Sequence, residues 1–254
     1  MPLTYLVVAL RLCEAVAPNL ENLVADDTSI PTVGPVKFDH SELLNITVAR
    51  TLSTVSIPVP ITAKFCNPRD TTFLRLLTLT LKHSSPEECL AFLKCCPVLE
   101  DLNLHFHDIP DGAIPFNHPT IMLMQLRNFH LSHTGNSENG DSSISAGQSG
   151  EIGQLLDSLQ LPRLNFFYLW TTILGSARYA DPNLPWDYLS RLITRSNCSL
   201  NRLELRSPHI DMPSMLECLR LSPDLKCLGI QADEEVERNV AQILPTLDSL
   251  RIFD

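Results

Sequence analysis

The chain has 254 residues, of which 44% are hydrophobic, 19% are charged and 43 are leucine, a composition that supplies a sizeable core and excludes a disordered protein. No run approaches the about 18 uncharged apolar residues of a membrane-spanning helix, so we expect no membrane association. The formal net charge is −10, and without a basic stripe to neutralise phosphates the chain should not bind nucleic acid either.

A leucine-rich hexad recurs along the chain. It has the form L-x-x-L-x-L, with other apolar residues allowed, and its last two anchors lie two residues apart, which predicts one short strand per copy. Two weaker copies come first, at Leu20/Leu23/Ala25 and Leu43/Ile46/Val48. Seven clearer copies follow, at Leu74/Leu77/Leu79, Leu99/Leu102/Leu104, Leu126/Phe129/Leu131, Leu164/Phe167/Leu169, Leu200/Leu203/Leu205, Leu225/Leu228/Ile230 and Leu247/Leu250/Ile252. Their uneven spacing indicates degenerate repeats.

Helical patterns lie between these strands. The first follows Ser85-Pro86-Glu87-Glu88, which combines an N-cap serine, a first-turn proline and a glutamate three residues after the cap. Apolar stripes at helical spacing are Cys89/Phe92/Leu93/Cys96, Ile152/Leu155/Leu156/Leu159, Trp186/Leu189/Leu192/Ile193, Met212/Leu216/Leu219 and Val236/Val240/Ile243. We therefore predict an α/β fold, a leucine-rich-repeat-like solenoid with parallel strands on its concave face and helices or irregular loops on its convex face.

Two segments interrupt the repeats. Residues 107–120 contain three prolines, which predicts irregular chain in place of a helix, and residues 132–150 contain six serines and four glycines, which predicts a flexible loop. Leucine strands resume in the same phase on both sides, so we expect residues 1–254 to form a single domain of eight or nine repeats.

The residues between the strand leucines should face outward on the sheet. On two successive strands these positions hold an aromatic trio and a charged trio: Phe166, Tyr168, Trp170, Arg202, Glu204 and Arg206. Aromatic residues and arginine are the types enriched at binding hot spots. The hypothesis is that this patch binds an acidic or aromatic segment of a protein partner. The alternative is that the connection 170–185 folds over the patch and buries it.

Histidine and cysteine are the candidate metal ligands and nucleophiles of the chain. The eight cysteines form no CxxC pair and mostly lie in apolar patterns, which indicates free, buried thiols in an intracellular protein. His105 and His107 alternate on one strand near Cys95, yet no second pair has ligand spacing. Neither Cys95 nor Cys198 has a candidate base, and the GxSxG, GxGxxG, Walker A and HExxH motifs are missing from the sequence. We expect no enzymatic activity, no bound metal and no cofactor.

Two long runs carry a resemblance to a family. They are SGEIGQLLDSLQLPRLNFFYLW and LPWDYLSRLITRSNCSLNRLELRSPHIDMPSMLECLRLSPDLKCLGI, and they resemble the leucine-rich-repeat-like region of basidiomycete (mushroom-type) F-box proteins. Trp186, the element Arg195-Ser196-Asn197-Cys198 and the element Ser222-Pro223-Asp224-Leu225 fall where that pattern has its equivalents. The resemblance is best over residues 150–231 and extends back to about residue 71.

The resemblance implies a substrate-recognition region of a ubiquitin-ligase receptor, in a protein whose N-terminal F-box binds Skp1. Residues 1–19 resemble one solenoid helix leading into Leu20, so we expect no F-box-like stretch between Met1 and the repeats. A truncated gene model and a paralogue without an F-box both fit, and Skp1 is an expected partner only if an F-box lies upstream. The alternative function is a stand-alone adaptor or inhibitor that binds a basic protein without a ubiquitin-ligase role.

Overall fold

The computed structural model describes residues 21–24, 51–57, 73–82, 86–107, 119–134, 146–172, 186–206, 212–230 and 234–252. The chain forms two compact units, Met1–His105 and Phe106–Asp254. Both units combine parallel strands with helices, which confirms the predicted α/β class. The solenoid and the single domain stay predictions.

The described part of unit 1 contains four parallel strands and one helix. These are β1 (Asn22–Val24), β2 (Thr54–Ile57), β3 (Thr78–Lys82), α1 (Pro86–Leu93) and β4 (Asp101–His107). The strands lie in chain order, β1-β2-β3-β4. Behind β3 the core includes a stacked pair of rings, Phe73 and Phe92, with centroids 5.1 Å apart. Aromatic packing therefore joins helix α1 to the segment that precedes β3.

Unit 2 is the longer unit, and in it parallel strands alternate with helices. Its elements are β5 (Ile121–Met122), β6 (Asn128–Thr134), α2 (Ala146–Asp157), β7 (Leu159–Gln160), β8 (Phe166–Thr172), α3 (Trp186–Ser196), β9 (Arg202–Arg206), α4 (Met212–Arg220), β10 (Cys227–Ile230), α5 (Glu234–Ile243) and β11 (Ser249–Ile252). The larger sheet runs β6-β8-β9-β10-β11, and β5 pairs with β7 separately. Helix α2 contacts α3, α3 contacts α4 and α4 contacts α5. Strands and helices thus follow one another in the same order, as in stacked repeats.

A recurring pair of hydrogen bonds joins neighbouring strands within each unit. The carbonyl oxygen of Asn165, just before β8, accepts from the N–H groups of Asn201 and Arg202 at 3.0 and 3.1 Å. The same pair of bonds recurs at the carbonyls of Glu21, Ser53, Leu77, Arg127, Asn201 and Lys226. Because each carbonyl satisfies two donors at the start of the following strand, the repeats are held in one register.

The strand frame predicted for the third repeat was wrong. Leu74 is 61% exposed and Leu77 is also exposed, whereas Leu76 and Leu81 are buried. Leu79 pairs with Leu102 and Leu81 with Leu104, so the hexad equivalent to Leu99/Leu102/Leu104 is Leu76/Leu79/Leu81. The sequence LRLLTLTL, residues 74–81, fits two frames, and only pairing with β4 decides between them. The copy at residues 43–48 lies outside the described residues, and the strand that pairs with β1 is β2.

Part of the expected loop at 132–150 is regular structure instead. Strand β6 continues to Thr134 and helix α2 begins at Ala146, while residues 135–145 lie outside the described part, as do residues 108–118. Pairing with β8 along its whole length extends β6 beyond its last leucine. In α4 Leu219 is buried as predicted and Leu216 is half-buried, while Met215 and Cys218 are buried in addition to the predicted stripe.

Candidate functional site

Strands β8 and β9 place the six predicted binding residues on one side of the unit 2 sheet. Phe167 and Leu169 are fully buried, so the alternating residues of β8 occupy the opposite side. The strand register then pairs Phe166 with Arg202, Tyr168 with Glu204, and Trp170 with Arg206. The residues Phe166, Tyr168, Trp170, Arg202, Glu204 and Arg206 form a contiguous patch, called the aromatic–arginine face below.

The six residues differ in exposure. Trp170 is 40% exposed and Arg206 is also exposed, whereas Phe166, Tyr168 and Arg202 are half-buried. Glu204 is only 8% exposed, which corrects the prediction that every outward position reaches solvent. The alternative, burial of the face under the connection 170–185, concerns residues that from 173 onward lie outside the described part.

Glu204 is buried because two arginines converge on it. The Nε of Arg202 donates to the Glu204 Oε1 at 2.8 Å, and Nη2 of the same guanidinium donates to the same oxygen. The Nη1 of Arg251 lies 4.0 Å from that oxygen. Arg251 is on β11 and reaches Glu204 across Gly229, the residue of β10 in register with both. The carboxylate is thus a built-in counter-ion, and a buried carboxylate requires such partners.

The half-buried aromatic residues are fixed by ring contacts. The Arg202 guanidinium lies 4.7 Å from the Phe166 ring centroid, a distance typical of a cation–π contact. His130 of β6 meets the Phe166 ring edge to face at 4.9 Å and the Tyr168 ring at 5.5 Å. Phe166 therefore sits between a histidine and a guanidinium, so the face is organised before any partner arrives.

The Tyr168 hydroxyl is held in its protonated form. Burial raises the pKa of Tyr168, the charge of Glu204 raises it further, and Arg206 opposes the shift. A protonated hydroxyl is both a hydrogen-bond donor and an acceptor. At neutral pH Tyr168 can therefore donate to an anionic oxygen beside Arg206.

Sequence reasoning missed one member of this surface, Arg251. It lies between Leu250 and Ile252 in the last hexad, so the rule that selected the charged residues of β9 would also have selected it. The missing information was the register, which places β11 within reach of Glu204 across a glycine. His130 was predicted to face outward, but its ring contacts could not be deduced.

Cys95 and Cys198, for which the sequence offers no candidate base, are both buried thiols. The six described cysteines are free, five of them buried and Cys227 half-buried, which confirms the predicted thiols at those five positions. Burial raises the pKa of Cys198 to about 11 and that of Cys218 to about 12. Since the thiolate is the nucleophile, these thiols are unreactive at neutral pH. Cys13 and Cys66 lie outside the described part, and within it no three His, Cys, Asp or Glu side chains gather as a metal site would require.

The element Arg195-Ser196-Asn197-Cys198 joins two repeats. Arg195 donates from Nε to the Leu159 carbonyl at 2.9 Å and from Nη2 to the Leu156 carbonyl at 2.6 Å. The Leu161 N–H donates to the Ser196 hydroxyl at 2.9 Å, and Asn197 has a φ of 49° where α3 ends. Arg195 and Ser196 therefore satisfy backbone groups of the preceding repeat, so this family-like motif is structural here.

Comparison with known proteins identifies no family for the chain. No protein-family model and no curated protein matches the chain. Among solved structures, the crystal structure of a Bacteroides fragilis structural genomics target aligns with a TM-score of 0.40 and 13% identity, covering 92% of this chain and 75% of that chain. A similarity at this level establishes neither a shared fold nor a shared function. Across the described ranges, helices with the length and apolarity to cross a bilayer are not found.

Proposed function

We propose that the chain is a protein–protein interaction module and that its partner binds the aromatic–arginine face. The observation that carries the proposal is Trp170, a large aromatic side chain that is 40% exposed on a sheet. It adjoins Arg206 in register and lies on the same strand as the fixed Phe166 and Tyr168. Rigid aromatic and arginine side chains that cluster on a surface are the usual anchors of protein interfaces.

Within this class, we propose a substrate-recognition region related to F-box ubiquitin-ligase receptors. The support is the resemblance over residues 150–231, in which Arg195 and Ser196 make the contacts between repeats described above. Skp1 would bind only through an F-box upstream of the repeats. We propose no catalytic role, since the thiols of Cys198 and Cys218 are poor nucleophiles.

The alternative, a stand-alone adaptor or inhibitor of a basic protein, is supported by the net charge of −10. Such a partner would need a different surface, because the charged residues of the aromatic–arginine face are mostly arginines. Transcript sequence upstream of Met1 separates the two functions. An in-frame F-box supports the receptor, whereas in-frame stop codons support the adaptor.

The interaction itself is tested by capture from a lysate of the source cells, with the chain immobilised and bound proteins quantified by mass spectrometry. Trp170→Ala and Tyr168→Ala should each remove the specifically bound proteins while leaving the thermal unfolding midpoint within a few degrees of wild type. The matched control is Met122→Ala, because Met122 is 51% exposed in the same unit but lies on β5, outside the larger sheet. Capture that persists in both face variants contradicts the proposal.

A further inference from the structure

The side of the unit 2 sheet that carries the aromatic–arginine face has a charge opposite to that of the chain. At the outward strand positions of β6, β8, β9, β10 and β11 the charged residues are Arg202, Arg206, Arg251 and Glu204. They amount to three cations and one anion, a local net charge of +2. The whole chain carries −10, so the remaining residues carry −12. A concentrated positive region on an acidic protein selects a small anionic group and repels a large polyanion.

Two arginines lie at opposite ends of β9. Arg202 is bonded to Glu204 and stacked on Phe166. Arg206 is exposed at the other end of the same strand, opposite the exposed Trp170. A guanidinium beside an indole ring and a protonated tyrosine hydroxyl provides two donors and an apolar wall, the combination that recognises a carboxylate on an otherwise apolar segment.

The dimensions suit a peptide segment. The strands β6, β8, β9, β10 and β11, which include the aromatic–arginine face, together span about 19 Å at about 4.8 Å per strand. Along β8 the positions from Phe166 to Trp170 span about 13 Å. This area is well below the about 800 Å² that each partner of a standard globular interface buries. An extended segment of about five or six residues matches it.

We infer that the aromatic–arginine face takes an extended acidic segment of a protein partner, with an aspartate or glutamate side chain paired to Arg206 beside Trp170. The inference rests on the proposed function and specifies the chemistry of the partner. It makes the charge of the bound segment, rather than its apolar content alone, the basis of selection.

The probe is a phage-displayed random heptapeptide library selected on the full-length chain, followed by affinity measurement of synthetic peptides by fluorescence anisotropy. Selected peptides should be enriched in Asp and Glu, and replacing the critical acid by its amide should weaken binding about tenfold. Arg206→Glu should weaken the same peptides at least as much. Arg220→Glu is the matched control, since it makes the same change of charge at an exposed position on helix α4.

A charge swap guards against loss of binding through misfolding. A peptide in which lysine replaces the critical acid should bind Arg206→Glu more tightly than it binds wild type, a gain that an unfolded protein cannot show. Peptides that need Trp170 but show neither acid enrichment nor a response to Arg206→Glu overturn the inference and leave the proposed function standing. Peptides indifferent to Trp170→Ala overturn both. Equal or tighter binding of a twelve-residue oligothymidylate overturns the inference in favour of a nucleic-acid site.

Discussion

Trp170 reports on the local potential of the aromatic–arginine face. The chain contains two tryptophans, so Trp186→Phe leaves Trp170 as the only indole fluorophore. Because Arg206 lies opposite Trp170, anions should concentrate around the ring although the protein as a whole is acidic. We therefore predict that iodide quenches the Trp170 emission more strongly than caesium does, with neutral acrylamide as the reference for exposure.

The comparison is made at constant, low ionic strength, where screening is weakest. Adding Arg206→Glu to the Trp186→Phe background should reverse the order of the two ions, and Arg220→Glu should leave it unchanged. Stronger quenching by caesium in the Trp186→Phe protein would show that the net charge of −10 outweighs the local arginines.

The residues that form the aromatic–arginine face could be predicted from the sequence, but the burial of Glu204 could not. Period-two alternation on β8 was enough to place Phe166, Tyr168 and Trp170 on one side of a strand. The burial of Glu204 depends on Arg202 from its own strand and Arg251 from two strands away. The sequence pattern alone gives no register, so it could not bring those three charges together.

The contact between helices α2 and α3 depends on one glycine. A Cβ atom added to Gly153 of α2 would overlap the ring of Tyr188 on α3. That ring is held in place, because the Arg191 guanidinium lies 4.4 Å above it and is itself bonded to Asp157 at 3.0 and 2.8 Å. Gly153 therefore allows the two helices to approach closely.

Gly153→Ala should accordingly destabilise the protein by about 1–3 kcal/mol through overpacking, although alanine in a helix interior normally gains about 1 kcal/mol over glycine. Urea unfolding measures the change in the free energy of unfolding. In a Tyr188→Ala background the overlap is gone, so the same substitution should become stabilising. A destabilisation that is equally large with and without the Tyr188 ring would show that the glycine acts through its backbone conformation instead.

Element types were predicted better than element frames. The capping sequence before Cys89 and the apolar spacing behind it were sufficient to place α1 between two strands. The third hexad failed because leucines at 74, 76, 77, 79 and 81 satisfy two frames equally. Pairing of Leu79 with Leu102 selects the frame, and such a pairing is a contact between repeats that a single repeat does not encode.

At the scale of the molecule, both units contain buried cysteines that pack in the core as small apolar residues do. Cys89 and Cys96 lie in unit 1, and Cys198 and Cys218 lie in unit 2, all of them buried. Burial raises the pKa of each of these thiols, because desolvation penalises the thiolate. The same environment that makes the cysteines chemically inert therefore couples the stability of both units to alkaline pH.

The sign of that coupling follows from proton binding. The pKa of Cys218 is raised from 9.0 to about 12 in the folded chain, so between these values the unfolded chain binds fewer protons and stability falls as pH rises. The stabilisation is fully present below pH 9 and should decline by at most about 1.4 kcal/mol per pH unit for this thiol. Urea unfolding at pH 8 to 11 measures it: Cys218→Ala should give a shallower decline than wild type, with the half-buried Cys227→Ala as the control. Parallel pH profiles for Cys218→Ala and wild type would show that this thiol is not desolvated in the folded protein.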